Sequence, residues 1–218
     1  MSAALLSATA ASQKATTPTT TTTPFPLLAL PLEIRLLIYQ HALTHPSLPT
    51  LRRLSTQAHC SDYVLPALPV SPALLLTCRL INSEATPVLY GANTFAAHPS
   101  LLTSLPYLVR PSAPIRDPAV ARRIRRWWVH VRLDTDPAWE AAEVCAAFDG
   151  CEELEVEVFQ AQFASCGYAV LRRFEGVRGV RTARVCGSVE EGFARWLEGV
   201  MMSGVGERVE GHDEFGEG

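Results

Sequence analysis

The stretch FDGCEELEVEV, Phe148–Val158, decides the fold. Its second half alternates. Leu154, Val156 and Val158 fall on one face of a strand, and Glu155 and Glu157 on the other. Its first half, Phe148-Asp149-Gly150, recurs as Phe174-Glu175-Gly176 and more loosely as Leu197-Glu198-Gly199. In the first two copies an apolar residue, Leu154 or Val180, stands four places after the glycine. An apolar helix end, a glycine in the left-handed cap and a turn into a strand account for this pattern. The same logic extends upstream, where Trp127, Val129, Val131 and Leu133 share one strand face. Asp136 is expected to cap, and Pro137 to open, a helix running to Phe148. Downstream, Tyr168–Phe174 reads as a second helix, Ala183 and Val185 as a third strand, and Glu190–Met202 as a third helix. Right-handed crossovers between parallel strands would put all these helices on one side of the sheet.

Outward toward the amino end, the character changes. Phe25–Leu43, FPLLALPLEIRLLIYQHAL, predicts a helix with Pro31 near its first position and Glu33 in its first turn. Ile34, Leu37, Ile38 and Ala42 make one apolar stripe, widened by Leu36 and Tyr39. A second helix is expected in PALLLTCRLINSEATPVLYGANTF, with Leu74, Cys78, Ile81, Ala85 and Val88 on one side. Pro87 should break it, Thr86 capping a short last turn. Asn93–Ala96 reads as a short strand and Leu101–Val109 as a short helix interrupted by Pro106. The expected organisation is a disordered leader over 1–24 and a helical region with a Pro-rich insertion over 25–98. A linker over 99–121, the strand-and-helix region over 122–202 and a disordered tail over 203–218 complete it.

Composition narrows the function classes. Hydrophobic residues make up 48% of the chain and the net charge is −3, so no global field draws it to nucleic acid or membrane. Six cysteines without a CxxC spacing read as reduced thiols of an intracellular protein, cytoplasmic or nuclear. Arg116, Arg122, Arg123, Arg125, Arg126 and Arg132 cluster around Trp127 and Trp128, a composition able to grip single-stranded nucleic acid. The next segment, however, carries nine acids and no base. Pairing of His130, Arg132 and Arg184 with Glu155 and Glu157 across the sheet is therefore the preferred reading. Asp134-Thr135-Asp136 could hold a hard cation, but the expected cap at Asp136 is the simpler role. His41, His45, His59 and Cys60 lack the paired cysteines of a zinc site and read as helix-end and loop residues. There is no GxSxG elbow, and Gly176-Val177-Arg178-Gly179 lacks the Lys-Ser/Thr of a phosphate loop. Cys145 and Cys151 suit core packing. No catalytic residue, cofactor or metal ligand is assigned.

LPLEIRLLIYQHAL followed by LLLTCRLINSEATPVLYGANTF resembles the large fungal group of F-box-like proteins. Those proteins pair an LPxEIRxxIY helix with a CRxIxxEAxPxLYGxNTF block. The matching residues are Leu30, Pro31, Glu33, Ile34, Arg35, Ile38 and Tyr39, then Cys78, Arg79, Ile81, Glu84, Ala85, Pro87, Leu89, Tyr90, Gly91, Asn93, Thr94 and Phe95. The 26-residue helix-and-strand spacing resembles leucine-rich repeats, whose units span about 20–29 residues. The expected fold is α+β: a helical F-box-like head, then a short leucine-rich-repeat-like layer with a small parallel sheet. The resemblance implies a non-catalytic adaptor of a cullin-RING ubiquitin ligase. Leu30, Pro31, Ile34, Leu37, Ile38, Leu74, Leu75 and Cys78 would dock on the cullin-linker subunit, and the repeat region would hold a protein substrate. The competing expectation keeps Ile34, Leu37 and Ile38 packed on Leu74, Cys78 and Ile81 inside one structural unit, with no ligase link.

Overall fold

The computed structural model describes residues 25–46, 70–108, 111–160, 167–207, 209 and 211. The expected leader (1–24), most of the Pro-rich insertion with His59 and Cys60, and most of the expected tail lie outside the described residues. The elements run α1 (Leu32–Leu43), α2 (Arg79–Ala92), β1 (Thr94–His98), β2 (Leu102–Tyr107), α3 (Pro118–Ala121), β3 (Arg126–Arg132), α4 (Ala141–Phe148), β4 (Glu153–Phe159), α5 (Ala169–Arg172), β5 (Thr182–Gly187) and α6 (Glu191–Met202). Short 3₁₀ turns at Leu27–Ala29 and Pro72–Leu76 precede α1 and α2. The fold is α+β, with a five-stranded, mostly parallel sheet in the order β2-β1-β3-β4-β5.

The alternation read from Trp127 and Leu154 builds the core. Trp127 pairs with Leu154 and Leu154 with Ala183; Val129, Val156 and Val185 form the next rung; Val131, Val158 and Gly187 the third. All but Gly187 are buried. Shrinking from Trp to Leu to Ala along one rung leaves room for the helices above. Phe148 of α4 meets Trp127 edge-on at 5.9 Å and stacks on Phe174 at 6.2 Å. Val144, Leu171, Phe174, Leu197 and Met201 complete the same core, so α4, α5 and α6 serve one face, as right-handed crossovers require. Each such side chain contributes about 1.5–3 kcal/mol by leaving water.

The strands recur at spacings close to the expected 26 residues, but the turns that lead into them do not match one another. Leu154 lies 27 residues beyond its partner Trp127, and Ala183 lies 29 beyond Leu154. In the turns that lead into β4 and β5 the left-handed glycines are Gly150 (φ +67°) and Gly179 (φ +70°), not Gly176. The extra Gly176-Val177-Arg178 turn buries Val177, which moves the strand start past Val180 to Thr182. Gly150 N–H donates to Arg178 O at 2.9 Å and Gly179 N–H to Ser203 O at 2.8 Å, so successive turns stack. No strand follows Leu197-Glu198-Gly199 among the described residues; α6 runs through it to Met202.

Four further expectations are corrected. Leu101–Val109 is not a helix: Leu102–Tyr107 is β2, antiparallel to β1. Residues 99–121, expected as a linker, therefore hold an edge strand and α3. Asp136 does not cap α4. The helix begins at Ala141 after Glu140, whose N–H donates to Glu143 Oε2 at 2.8 Å. Pro87 does not break α2 but sits inside it. Pro87 and Ser83 are both exposed, so water can serve the carbonyl that Pro87 leaves without a donor.

Each outer strand has an edge position already occupied. At β5, the Glu198 carboxylate of α6 accepts the Val185 N–H at 2.7 Å. At β2, Pro106 has no N–H to offer, and its carbonyl is taken by Ile115 N–H at 2.7 Å.

Candidate docking face on the helical head

α1 and α2 form a head with its own small core of Tyr39, Leu43, Ile81, Ala85 and Leu89; Tyr90 and Leu108 pack against both this core and the sheet core. The inward side of α1 is thus Tyr39 and Leu43, helped by Leu36. The stripe of Ile34, Leu37, Ile38 and Ala42 divides: Ala42 packs against this core and Ile38 is half-buried, whereas Ile34 is 44% exposed and Leu37 52%. The physical reason is that α1 is apolar over most of its circumference. Periodicity alone could not say which arc α2 would cover.

Polar residues decide the matter. Arg35 grips Glu84 of α2 with both arms, Nε to Oε2 at 2.9 Å and Nη2 to Oε1 at 2.5 Å. Its third nitrogen, Nη1, donates to Leu30 O at 2.6 Å. Tyr39 OH adds a bond to Glu84 Oε2 at 3.0 Å. Arg35 and Tyr39 lie one turn apart on α1, so they turn this side of the helix toward α2 and leave Ile34 and Leu37 outside. The Arg35 hydrogen bond holds the Glu84 carboxyl below the usual range, against partial burial. Burial, then the Glu84 carboxylate, raise the Tyr39 hydroxyl. A second clamp is Asn93, fully buried at the end of α2. Its Oδ1 accepts His45 N–H at 2.7 Å, and its Nδ2 donates to Leu43 O and Leu89 O, both at 2.8 Å. Arg35, Glu84 and Asn93 were legible as motif positions; only the structure gives them the work of joining the two helices.

The eight expected docking residues divide. Pro31 is exposed at the start of α1, and Ile34 and Leu37 are exposed on it. Leu30 and Ile38 are half-buried. Leu74 and Leu75 pack against the small core rather than standing free. Cys78 is exposed and caps α2, its Sγ accepting Ile81 N–H at 3.5 Å. The expectation omitted Leu32, Leu76 and Leu80, exposed by 44%, 85% and 47% on the same head.

Because the folded Glu84 carboxyl titrates below its unfolded value of about 4.3, its stabilisation is present above that pH and is lost as pH falls through the lower, folded value. Glu84→Gln should lower Tm at pH 7, and the gap to the wild type should narrow at pH 3. A constant gap across melts at both pH values would mean that the ionised carboxylate does not matter.

The other sequence candidates have local duties. Asp134 accepts from Arg132 Nε and Nη2 at 3.1 and 2.7 Å, so Arg132 pairs along the chain rather than across to Glu157. Asp136 accepts from Arg173 Nη2 at 2.7 Å, while Arg173 Nη1 reaches Pro137 O and Trp139 O. His45 is buried with Nδ1 2.6 Å from Pro46 O, and His41 is exposed. Burial pushes the Cys151 thiol up to about 12, which makes it a poor nucleophile. The Arg178 guanidinium fills the Gly176–Gly179 turn, donating to Glu175 O and Val177 O. The sheet register sets Arg184 beside Glu155 and His130 beside Glu157, the alternation of sign expected from the sequence. No helix among the described residues is long and apolar enough to cross a membrane. No family model, no curated protein and no solved structure matches this chain.

Proposed function

We propose that the chain is a fungal F-box-like adaptor that carries no chemistry of its own. The outer face of α1, with Pro31, Ile34 and Leu37, docks on the cullin-linker subunit of a ubiquitin ligase. The leucine-rich-repeat-like strand-and-helix layer holds a protein substrate. Its effect is proximity: tethering raises the substrate's effective concentration beside the ubiquitin-loaded partner.

One observation carries this reading. α1 is locked from behind by Arg35, Tyr39 and Leu43, yet it presents Ile34 and Leu37 to solvent at 44% and 52% exposure. A helix whose core needs are met gains nothing in stability from large aliphatic residues on its wet side, whereas a partner does gain from them. The Leu30-Pro31 start and the Arg35/Glu84 couple fall at the motif positions that carry the family resemblance.

The test is a pull-down of the purified full chain with a fungal cullin-linker subunit, beside an Ile34→Glu/Leu37→Glu variant. Both positions are exposed, so the variant should keep its circular dichroism spectrum and melt within about 2 °C of the wild type. Binding should fall at least tenfold. Wild-type protein that does not bind the linker subunit would leave the head as a structural or interaction unit with no ligase link.

A further inference from the structure

The amino edge of the sheet carries more positive charge than its own acids neutralise. Asp149 Oδ1 accepts Arg178 N–H at 2.9 Å, and Glu152 and Glu153 flank Arg126 at 4.0 and 3.3 Å. Arg122, Arg125 and Arg181 are exposed, and among the described residues none of the three guanidiniums has a hydrogen bond or an ion pair. Arg181 stands directly before β5 and Arg125 directly before β3. Arg122 and Arg125 line a cleft of about 360 Å³, whose far wall is Ala146 and Ala147 at the end of α4. Gly150 N–H goes to Arg178 O and Cys151 N–H to Phe148 O, so those two alanine carbonyls lack the amides that would continue the helix. Cations on one side and carbonyls on the other suit an acidic polypeptide, which brings both carboxylates and backbone N–H donors. Trp127 and Trp128 are both buried, so neither ring offers the stacking platform that single-stranded nucleic acid uses.

The chain leaves α6 at this same edge. Gly179 N–H donates to Ser203 O at 2.8 Å and Val180 N–H to Met201 O at 3.0 Å. A Cβ built on Gly179 would lie 3.7 Å from Gly150 Cα and 4.0 Å from Val205 Cγ2, so Val205 stands beside the turns into β4 and β5. Gly150 lines the cleft, and two residues on Glu152 N–H donates to Arg125 O at 2.8 Å. Neighbouring strands lie about 4.8 Å apart, so the path from β5 across β4 to β3 is about 10 Å. An extended chain covers about 3.3–3.6 Å per residue, so the step from Glu207 to Glu210 spans that path and Asp213 and Glu214 have length to spare. Residues 208–218 set Glu210, Asp213, Glu214 and Glu217 against one arginine, Arg208. Of these residues only Val209 and Gly211 are described, and both are exposed.

We propose that the acidic run Glu210–Glu214 folds back along the amino edge onto Arg181, Arg125 and Arg122, so that the chain covers this cleft with its own tail. The inference does not depend on whether the head docks a linker subunit. The test exploits the lysine content, since Lys14 is the chain's one lysine. In the full chain, Arg122→Lys/Arg125→Lys keeps both charges and supplies two amines at the cleft. A water-soluble carbodiimide then joins an amine to a carboxylate in direct contact, and peptide mass spectrometry locates the bond. Both positions are exposed, so the variant should melt as the wild type does. Links from positions 122 and 125 to Glu210, Asp213 or Glu214 should form at least fivefold more than links from Arg79→Lys, an exposed position on α2, to the same acids. A mixture of light and nitrogen-15 protein should give links within one isotope only. About 1 M salt shortens the reach of charge to about 3 Å and should abolish them. A yield no higher than that of Arg79→Lys, or one indifferent to salt, overturns the proposal. Links that join the two isotopes overturn it in favour of a second copy's tail. Loss of the links on adding an equimolar single-stranded oligonucleotide overturns it in favour of nucleic acid as the occupant.

Discussion

Asn93→Ala should cost the fold about 3 kcal/mol and lower Tm by about 6–12 °C in a chain of this size. Asn93 is fully buried and makes three hydrogen bonds, each to backbone from a different part of the head: Leu43 at the end of α1, His45 just beyond it and Leu89 in α2. Alanine keeps the backbone path but leaves the His45 N–H and two carbonyls without their partner. Buried backbone groups stripped of partners cost about 1–3 kcal/mol each, less where water can enter. Asn93→Asp sharpens the test. It preserves the acceptor for His45 N–H, yet it sets a carboxylate against the carbonyls of Leu43 and Leu89. At pH 7 it should destabilise at least as much as alanine, and it should recover as the carboxyl is protonated. Thermal melts at pH 7 and pH 4 measure both; an alanine variant melting within 2 °C of wild type would show that the clamp is dispensable.

Gly187→Ala should be worse, with a loss of about 3 kcal/mol or more and protein recovered mainly in inclusion bodies. Gly187 closes β5 opposite Val158 at φ +103°, a conformation side chains rarely adopt. An added Cβ would lie 2.1 Å from Val158 O. That carbonyl cannot retreat, because it accepts Ser188 N–H at 2.8 Å and its strand is paired on both sides. The same change at Gly199, where nothing lies within 4 Å of an added Cβ, should be neutral or mildly stabilising because it sits inside α6. Comparing the two variants by urea denaturation separates steric conflict from a general glycine effect.

What the sequence disclosed follows from which signals are local. β3, β4 and β5 were readable because Trp127, Leu154 and Ala183 each begin an alternation that one buried face imposes. β2 was not. Leu101–Val109 shows no clean alternation and contains Pro106, and the strand opens on Leu102 at φ +45° rather than on a glycine or asparagine. A buried leucine forced into the left-handed region leaves no mark in composition. The cap of α4 was misplaced because Asp136-Pro137 is a strong start signal. In the fold that aspartate is claimed by Arg173, 37 residues away, and the helix waits for Glu140. The site was legible as a set of motif residues and illegible as an arrangement. Nothing in Ile34, Leu37 or Tyr39 alone says which faces water; the Arg35–Glu84 couple, 49 residues apart, says it.

The capped strand edges carry a last consequence. An open sheet ordinarily invites a sixth strand, from a peptide or from another copy of itself, and the invitation is written in unpaired N–H and C=O groups. Here the proline of β2 and the carboxylate that Glu198 lays on Val185 each remove one such position, one on either flank. Strand addition, with its indifference to side-chain identity, is thereby disfavoured at these positions, and so is growth into ribbons by edge-to-edge pairing. Recognition is steered toward side chains on faces and clefts, where a single substitution on either partner can be felt.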